Sequence, residues 1–267
     1  MRQILLHPGF HKTGTSAIQH FLWVNRVALA PYVDLRLFRH LKPIVETCAQ
    51  FSRSGDPLDL IDFVSKMDAF SQTYPLIKNR DLVVSCKGLC GHLPGNKMTP
   101  NYDAVPTLLT YVAGYFAEKY PDAQVKVIFT TRAPEPWLFS VYRQRLRADR
   151  MTMTFEQFKG VFTPMADLDR VVTDVAEALA PLPVMFLPME DAIRHPLGPG
   201  AAIVDLLNVP EDVRRDLVPV GRDAQGPEPA IWQQFLALNS SNQPDRAVAM
   251  AKAEIAASID LGGWKKI

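Results

Sequence analysis

Between Gly9 and Gly14 the chain reads Gly-Phe-His-Lys-Thr-Gly, and Thr15 and Ser16 follow. Two glycines five apart, after the apolar run Ile4-Leu5-Leu6 and before an amphipathic stretch, have the spacing of a phosphate-binding loop. Such a turn can aim main-chain N–H groups and a helix N-terminus at an anion. Loops that hold nucleoside triphosphates carry lysine directly after the second glycine. Here Thr15 takes that place and the ammonium has moved forward to Lys12. The charge then reaches the anion from another point, which argues for an anhydride other than ATP. A second anion site is offered by Arg132, at the end of another apolar run. Pro134 and Pro136 suit the first turn of a helix, where a missing N–H costs nothing, and Ser140 falls about two turns in. A guanidinium and a hydroxyl placed there can meet one more phosphate. The alternative for Arg132 is a solvated charge at a helix start.

These residues need strands and helices to hold them. Arg2 to Leu6, Asp81 to Cys86, Gln124 to Thr131 and Leu182 to Leu187 read as buried strands. Helical patterns span Gly14 to Leu29, Pro57 to Ile77, Tyr102 to Lys119, Pro134 to Ala148, Thr154 to Val161, Ala166 to Leu179 and Leu197 to Leu207. Two more lie near Ala230 to Leu238 and Arg246 to Ile259. Ala30 to Gly55 shows no decisive pattern, and Val218 to Pro229 reads as a Gly/Pro-rich loop before a helical C-terminal cap. The β-α alternation predicts one α/β domain over residues 1–267, with a parallel sheet of about four or five strands flanked by helices. Ligands of such sheets bind outside the carboxyl ends of the strands. That directs attention to His7 to Ser16, Lys87 to Pro94 and Arg132 to Tyr142.

Composition narrows the partners. Of 267 residues, 29 are Lys or Arg and 28 are Asp or Glu, so no basic excess points to nucleic acid or a membrane surface. No apolar run approaches a membrane span, and the first residues lack the pattern of a secretory signal, which leads to an expected cytoplasmic location. Cys48, Cys86 and Cys90 read as free thiols, since an odd, sparse set makes no disulfide framework and no clustered histidines complete a zinc site.

Lys12-Thr13-Gly14-Thr15-Ser16 after a strand resembles the 5′-phosphosulfate loop of the sulfotransferases that use 3′-phosphoadenosine 5′-phosphosulfate (PAPS). Arg132, with Ser140 eight residues later and Tyr142 beyond it, resembles their 3′-phosphate motif. Glu190-Asp191, His195-Pro196 and the stretch to Leu207-Asn208-Val209 resemble the family's later strand-helix segment. The resemblance runs from Arg2 to about Val209. It implies a sulfotransferase that moves a sulfuryl group from PAPS to a hydroxyl or amine of a small-molecule or glycan acceptor, releasing adenosine 3′,5′-bisphosphate. His11, Lys12, Thr13, Gly14, Thr15 and Ser16 would hold the phosphosulfate, and Arg132 and Ser140 the 3′-phosphate. The strand ends Cys86-Lys87, Thr131-Arg132 and Leu187-Pro188 carry no Asp for Mg²⁺, so no metal is expected. A P-loop kinase of a small metabolite and a non-catalytic nucleotide-binding protein are the competing readings.

Lys12 is the expected catalytic charge, placed to stabilise the bridging oxygen as the bond breaks. Relatives carry a carboxylate or a histidine after the Asp81-to-Cys86 strand, and Lys87 stands where a Glu would be expected. His92, in the same loop, is the candidate base; a surface histidine is the alternative. Lys87 would bind the donor or an anionic acceptor. Arg143, Arg145, Arg147 and Arg150 are read first as a solvated helix face, with an acceptor-facing strip as the alternative. Arg222 could close on the 3′-phosphate. Trp23, Trp137, Trp232 and Trp264 are read as packing residues. The sequence leaves the oligomeric state open.

Overall fold

Five parallel strands form one sheet, with the four apolar runs supplying four of them. They are β1 (Arg2–His7), β2 (Val33–Leu37), β3 (Asp81–Ser85), β4 (Ala123–Thr131) and β5 (Val184–Pro188). The order across the sheet is β2-β3-β1-β4-β5. The computed structural model describes residues 1–96, 98–220 and 229–258. It is a single α/β domain, as the β-α alternation requires. Among the described residues no helix is long and apolar enough to cross a membrane.

Alternation along the strands sends side chains to both faces. Ile4 and Leu6 of β1 join Leu82, Val84, Val127 and Phe129 in a core beneath the Val105–Lys119 and Leu168–Leu179 helices. Leu5, Val83 and Ile128 face the other way, against Ile18, Phe21 and Leu22 of helix α1 (Thr15–Val24). Both faces are therefore dry, which is why the central strands read as unbroken apolar runs.

The strand order places the functional crevice. The chain leaves β1 toward one edge of the sheet and later crosses from β3 to β4 on the other side. The carboxyl end of β1 thus lies at a topological switch point, between the ends of β3 and β4.

Several expected elements are corrected. The helix expected over Gly14 to Leu29 ends at Val24, because Asn25 turns its side-chain amide onto the carbonyls of Phe21 and Val218; a short helix, Arg26–Leu29, follows. Pro57 to Ile77 divides into a 3₁₀ turn, Pro57–Leu60, and a helix, Phe63–Thr73. Only Ala201–Val204 of the Leu197 to Leu207 stretch is α-helical. The undecided Ala30 to Gly55 segment holds edge strand β2 and the Lys42–Ser54 helix. Tyr102 lies outside its expected helix, which starts at Val105, and the Leu168–Leu179 helix follows a 3₁₀ turn over Thr163–Ala166. The Pro134–Ala148 helix has the expected bounds. Ile259, Trp264, Arg222 and most of the expected Val218 to Pro229 loop lie outside the described residues.

The rim opposite the crevice is tied by Asp81. Its buried carboxylate accepts from the N–H groups of Gln3 (2.9 Å) and Asn208 (2.7 Å) and from the Asn208 side-chain amide (3.1 Å). Asp81→Ala leaves these donors unpaired, and the expected cost is about 2–4 kcal/mol in urea denaturation, by analogy with buried donors stripped of a charged acceptor. Ligand binding at the far rim should be retained in the same variant.

Candidate functional site

The loop that leaves β1 bends three times through left-handed backbone: Gly9 has φ 58°, Lys12 68° and Gly14 85°. Glycine adopts this region freely. At Gly9 it is also required by space, because a Cβ would sit 2.5 Å from Thr15 Oγ1. Lys12 has no such freedom. A lysine held at positive φ is strained backbone at the residue expected to carry the chemistry.

The bends free a row of donors. Among the described residues the main-chain N–H groups of Lys12, Thr13, Gly14, Thr15 and Ser16 meet no acceptor. Those of Thr15 and Ser16 open α1, where the helix dipole adds positive potential. The side chains of the same residues divide. Thr13 and Thr15 are buried, and both hydroxyls donate to the Phe10 carbonyl, at 2.8 and 3.1 Å. They shape the loop, whereas Ser16 is exposed.

Beneath the loop runs a directed chain of polar groups. Thr13 spends its proton on Phe10, so it accepts from Thr130 Oγ1 at 2.9 Å. Thr130 then has only a lone pair for His7 Nε2, 3.5 Å away, and Ser85 Oγ lies 2.8 Å from His7 Nδ1. The chain requires a proton on His7 Nε2, and in the neutral ring Nδ1 then accepts from Ser85. Burial agrees, holding the His7 pKa down to about 4.

A second clamp holds His11. The hydroxyl of buried Tyr102 accepts from the His11 main-chain N–H at 3.0 Å and lies 3.0 Å from His11 Nδ1. Burial pushes the Tyr102 pKa well up, so the phenol keeps its proton, and among the described residues Nδ1 is the acceptor within its reach, so it donates there. His11 is thereby fixed with its proton on Nε2. Trp137 Nε1 donates to the His11 carbonyl at 2.8 Å. Burial first, then Lys87, His92, Lys12 and Arg145, lower the His11 pKa to about 3. Tyr102, Trp137 and Thr130 are site-building residues that the motifs do not reveal. Trp137 follows Arg132 by five positions and packs as expected, but its indole N–H also anchors the loop.

Arg132 reaches the same loop: its guanidinium donates to the Lys12 carbonyl at 3.3 Å. Glu190 beyond β5 takes the neighbouring Ala133 N–H at 3.3 Å and is the acidic group that Arg132 feels. Ser140 is half-buried and shares a helix stripe with Arg143 and Arg147, three and seven residues on. Lys12 has its pKa lowered to about 8, by burial first and then by Lys87, Arg132, Arg147 and Arg143. Among the described residues, the charges that act most on Lys12 are all positive.

The four arginines do not form one solvated face, which corrects the first reading. Arg145 turns inward, donating to the carbonyls of Leu93 and Pro94 and pairing with Asp149 at 2.9 Å. Arg150 bonds Asp245 and the carbonyls of Asn239 and Ser241. The Arg143 guanidinium lies over Phe139, 4.0 Å from the ring centroid, and its buried Nε has no hydrogen-bond partner among the described residues. Arg147 is exposed. His92 is half-buried; its main-chain N–H donates to Ser52 Oγ at 2.9 Å, and its buried Nε2 has no hydrogen-bond partner among the described residues. Burial, Arg53 and Arg145 lower its pKa. Cys48, Cys86 and Cys90 are buried free thiols.

No family model matches this chain, and no curated protein matches it. Among solved structures it is similar to a sulfotransferase from Alicyclobacillus acidocaldarius, with a TM-score of 0.48 and 17% identity over 94% of this chain and 95% of that one.

Two measurements check the site. In ¹⁵N-resolved imidazole spectra, His11 should carry its proton on Nε2, and Tyr102→Phe should mix the tautomers; an Nδ1–H form in the parent would contradict the clamp. Stability should fall with acidity. His7 and His11 stay neutral in the fold but titrate near 6.5 when unfolded, so the unfolded chain binds more protons below that pH. The expected loss is up to about 1.4 kcal/mol per pH unit for each histidine between pH 6.5 and 5, read from urea midpoints.

Proposed function

We propose that this protein is a PAPS-dependent sulfotransferase, moving a sulfuryl group to a hydroxyl or amine of a small-molecule or glycan acceptor. The observation that carries the reading is the row of five N–H groups unclaimed among the described residues and set among Lys12, Arg132, Arg143 and Arg147, with the strongest charges acting on Lys12 all positive. Such a site asks for a ligand with several negative charges at more than one point. A donor with a 5′-phosphosulfate and a separate 3′-phosphate meets that demand. When bound, PAPS supplies an activated sulfuryl group and, after transfer, leaves as adenosine 3′,5′-bisphosphate.

The chain's own residues have separate tasks in this reading. The N–H groups from Lys12 to Ser16 hold the phosphosulfate, with His11 Nε2–H as a neutral donor beside them. Arg132 and Ser140 take the 3′-phosphate, and Arg143 lies close enough to act on Arg132. Lys12 brings an ammonium to the bond that breaks, stabilising the oxygen on which charge develops. Its left-handed backbone sets the point at which the side chain leaves the loop. His92 is the nearby base candidate: its lowered pKa keeps the ring neutral, and Nε2 has no internal partner.

Adenosine 3′,5′-bisphosphate should raise the melting temperature more than Mg²⁺-ATP does; at a hundred times Kd the stabilisation is about 2.7 kcal/mol. A response to Mg²⁺-ATP alone would favour a kinase. Lys12→Ala should abolish sulfuryl transfer with the fold intact, and near-normal turnover would remove its role. Because an anion binds best to charged Lys12, bisphosphate affinity should weaken as pH rises above about 8 in calorimetric titrations.

A further inference from the structure

We propose that the acceptor is itself an anion, a hydroxyl or amine compound bearing a carboxylate or sulfate group, and that Lys87 holds that group. The inference rests on the sulfotransferase reading and assigns its acceptor side.

Lys87 begins a 3₁₀ turn directly after Cys86, whose N–H donates to the His7 carbonyl at 3.0 Å and so continues the β1–β3 pairing. The turn is pressed against the Lys42–Ser54 helix: a Cβ on Gly88 would sit 2.4 Å from Val45 Cγ1. The backbone of Lys87 is therefore held beside the glycine loop. Its side chain is half-buried, and among the described residues it makes neither an ion pair nor a hydrogen bond. It is nevertheless the strongest charge acting on both Lys12 and His11. Among the described residues, the groups acting most on His11, Lys12 and His92 are lysines, arginines and histidines, with no carboxylate among them. An ammonium half out of water, facing other cations and lacking a counter-charge, is a site for an external anion.

Strand order separates this anion from the donor. Arg132, Ser140, Arg143 and Arg147 all come from β4 and the helix after it. Lys87 and His92 come from the end of β3, on the other side of β1. Lys12 stands between the two groups. In-line displacement at sulfur brings the nucleophile from the side opposite the leaving oxygen. With the nucleotide on the β4 side, the incoming acceptor lies on the β3 side, against Lys87 and the base candidate His92. The bond formed joins the acceptor oxygen or nitrogen to sulfur, the bond broken is sulfur to the bridging oxygen, and the acceptor proton passes to His92.

The test uses the full chain saturated with adenosine 3′,5′-bisphosphate, titrated calorimetrically with matched probes: glucuronate against glucose, and 4-hydroxyphenylacetate against its methyl ester. The charged member of at least one pair should bind tenfold or more tightly than its neutral match. Lys87→Met should abolish that preference and leave bisphosphate affinity within twofold. Equal binding of charged and neutral probes, or of neither, overturns the assignment of an anionic acceptor. So does a loss of bisphosphate affinity in Lys87→Met as large as that in Lys12→Met, because Lys87 would then serve the donor. Failure of the parent to bind bisphosphate at all overturns the sulfotransferase reading, and this assignment with it.

Discussion

The crevice at the end of β1 crowds cations around Lys12, with the acidic Glu190 acting on Arg132 at its edge, and the surrounding structure is organised around that constraint. Lys87, Arg132, Arg147 and Arg143 all act on Lys12, and Arg132 acts on Arg143, across a partly dry space. Desolvation first, and then their repulsion, hold the Lys12 pKa near 8, so the protein keeps an ammonium at a position where charge is costly. An anionic ligand removes that cost. Affinity for an anion and the cost of gathering these cations therefore have the same origin.

Holding such a cluster demands rigid support, and the support is neutral. His7 and His11 sit directly under and within the loop, and burial keeps both uncharged. The Thr13–Thr130–His7–Ser85 chain links the loop to β4 and β3 without adding a charge. Tyr102 and Trp137 hold His11 from both of its main-chain polar groups. Carboxylates in these positions would have neutralised the cations and removed the demand for a ligand. Asp81, with three N–H donors on its carboxylate, stands at the opposite rim.

The two anion-site motifs were legible because each is local. Gly9 and Gly14 mark backbone that must turn left-handed, and Pro134 and Pro136 mark a helix start after a strand. The β2 strand was not legible: Val33–Leu37 includes Asp34 and Arg36, which break an apolar run, and it is an edge strand with one neighbour. Thr13 and Thr15 carry the residue types of ligand contacts, yet their hydroxyls point to Phe10. The arginine series after Ser140 looks uniform in sequence but separates by helical phase: Arg145 lies about 200° around the helix from Arg143, on the side of the Leu93-Pro94 loop.

Sequence alone determined the α/β alternation, the glycine turn, the cations at strand ends and the absence of an Asp beside them, because each depends on residues a few positions apart. Tertiary structure decided which cations meet. Arg132 is 120 residues from Lys12 and Lys87 is 75, and only the order β3-β1-β4 brings both to one loop. That order is set by burial over two whole faces of the sheet. The protonation of His7 and His11 was decided in the same way, since desolvation and the direction of a hydrogen bond exist only after distant segments have packed.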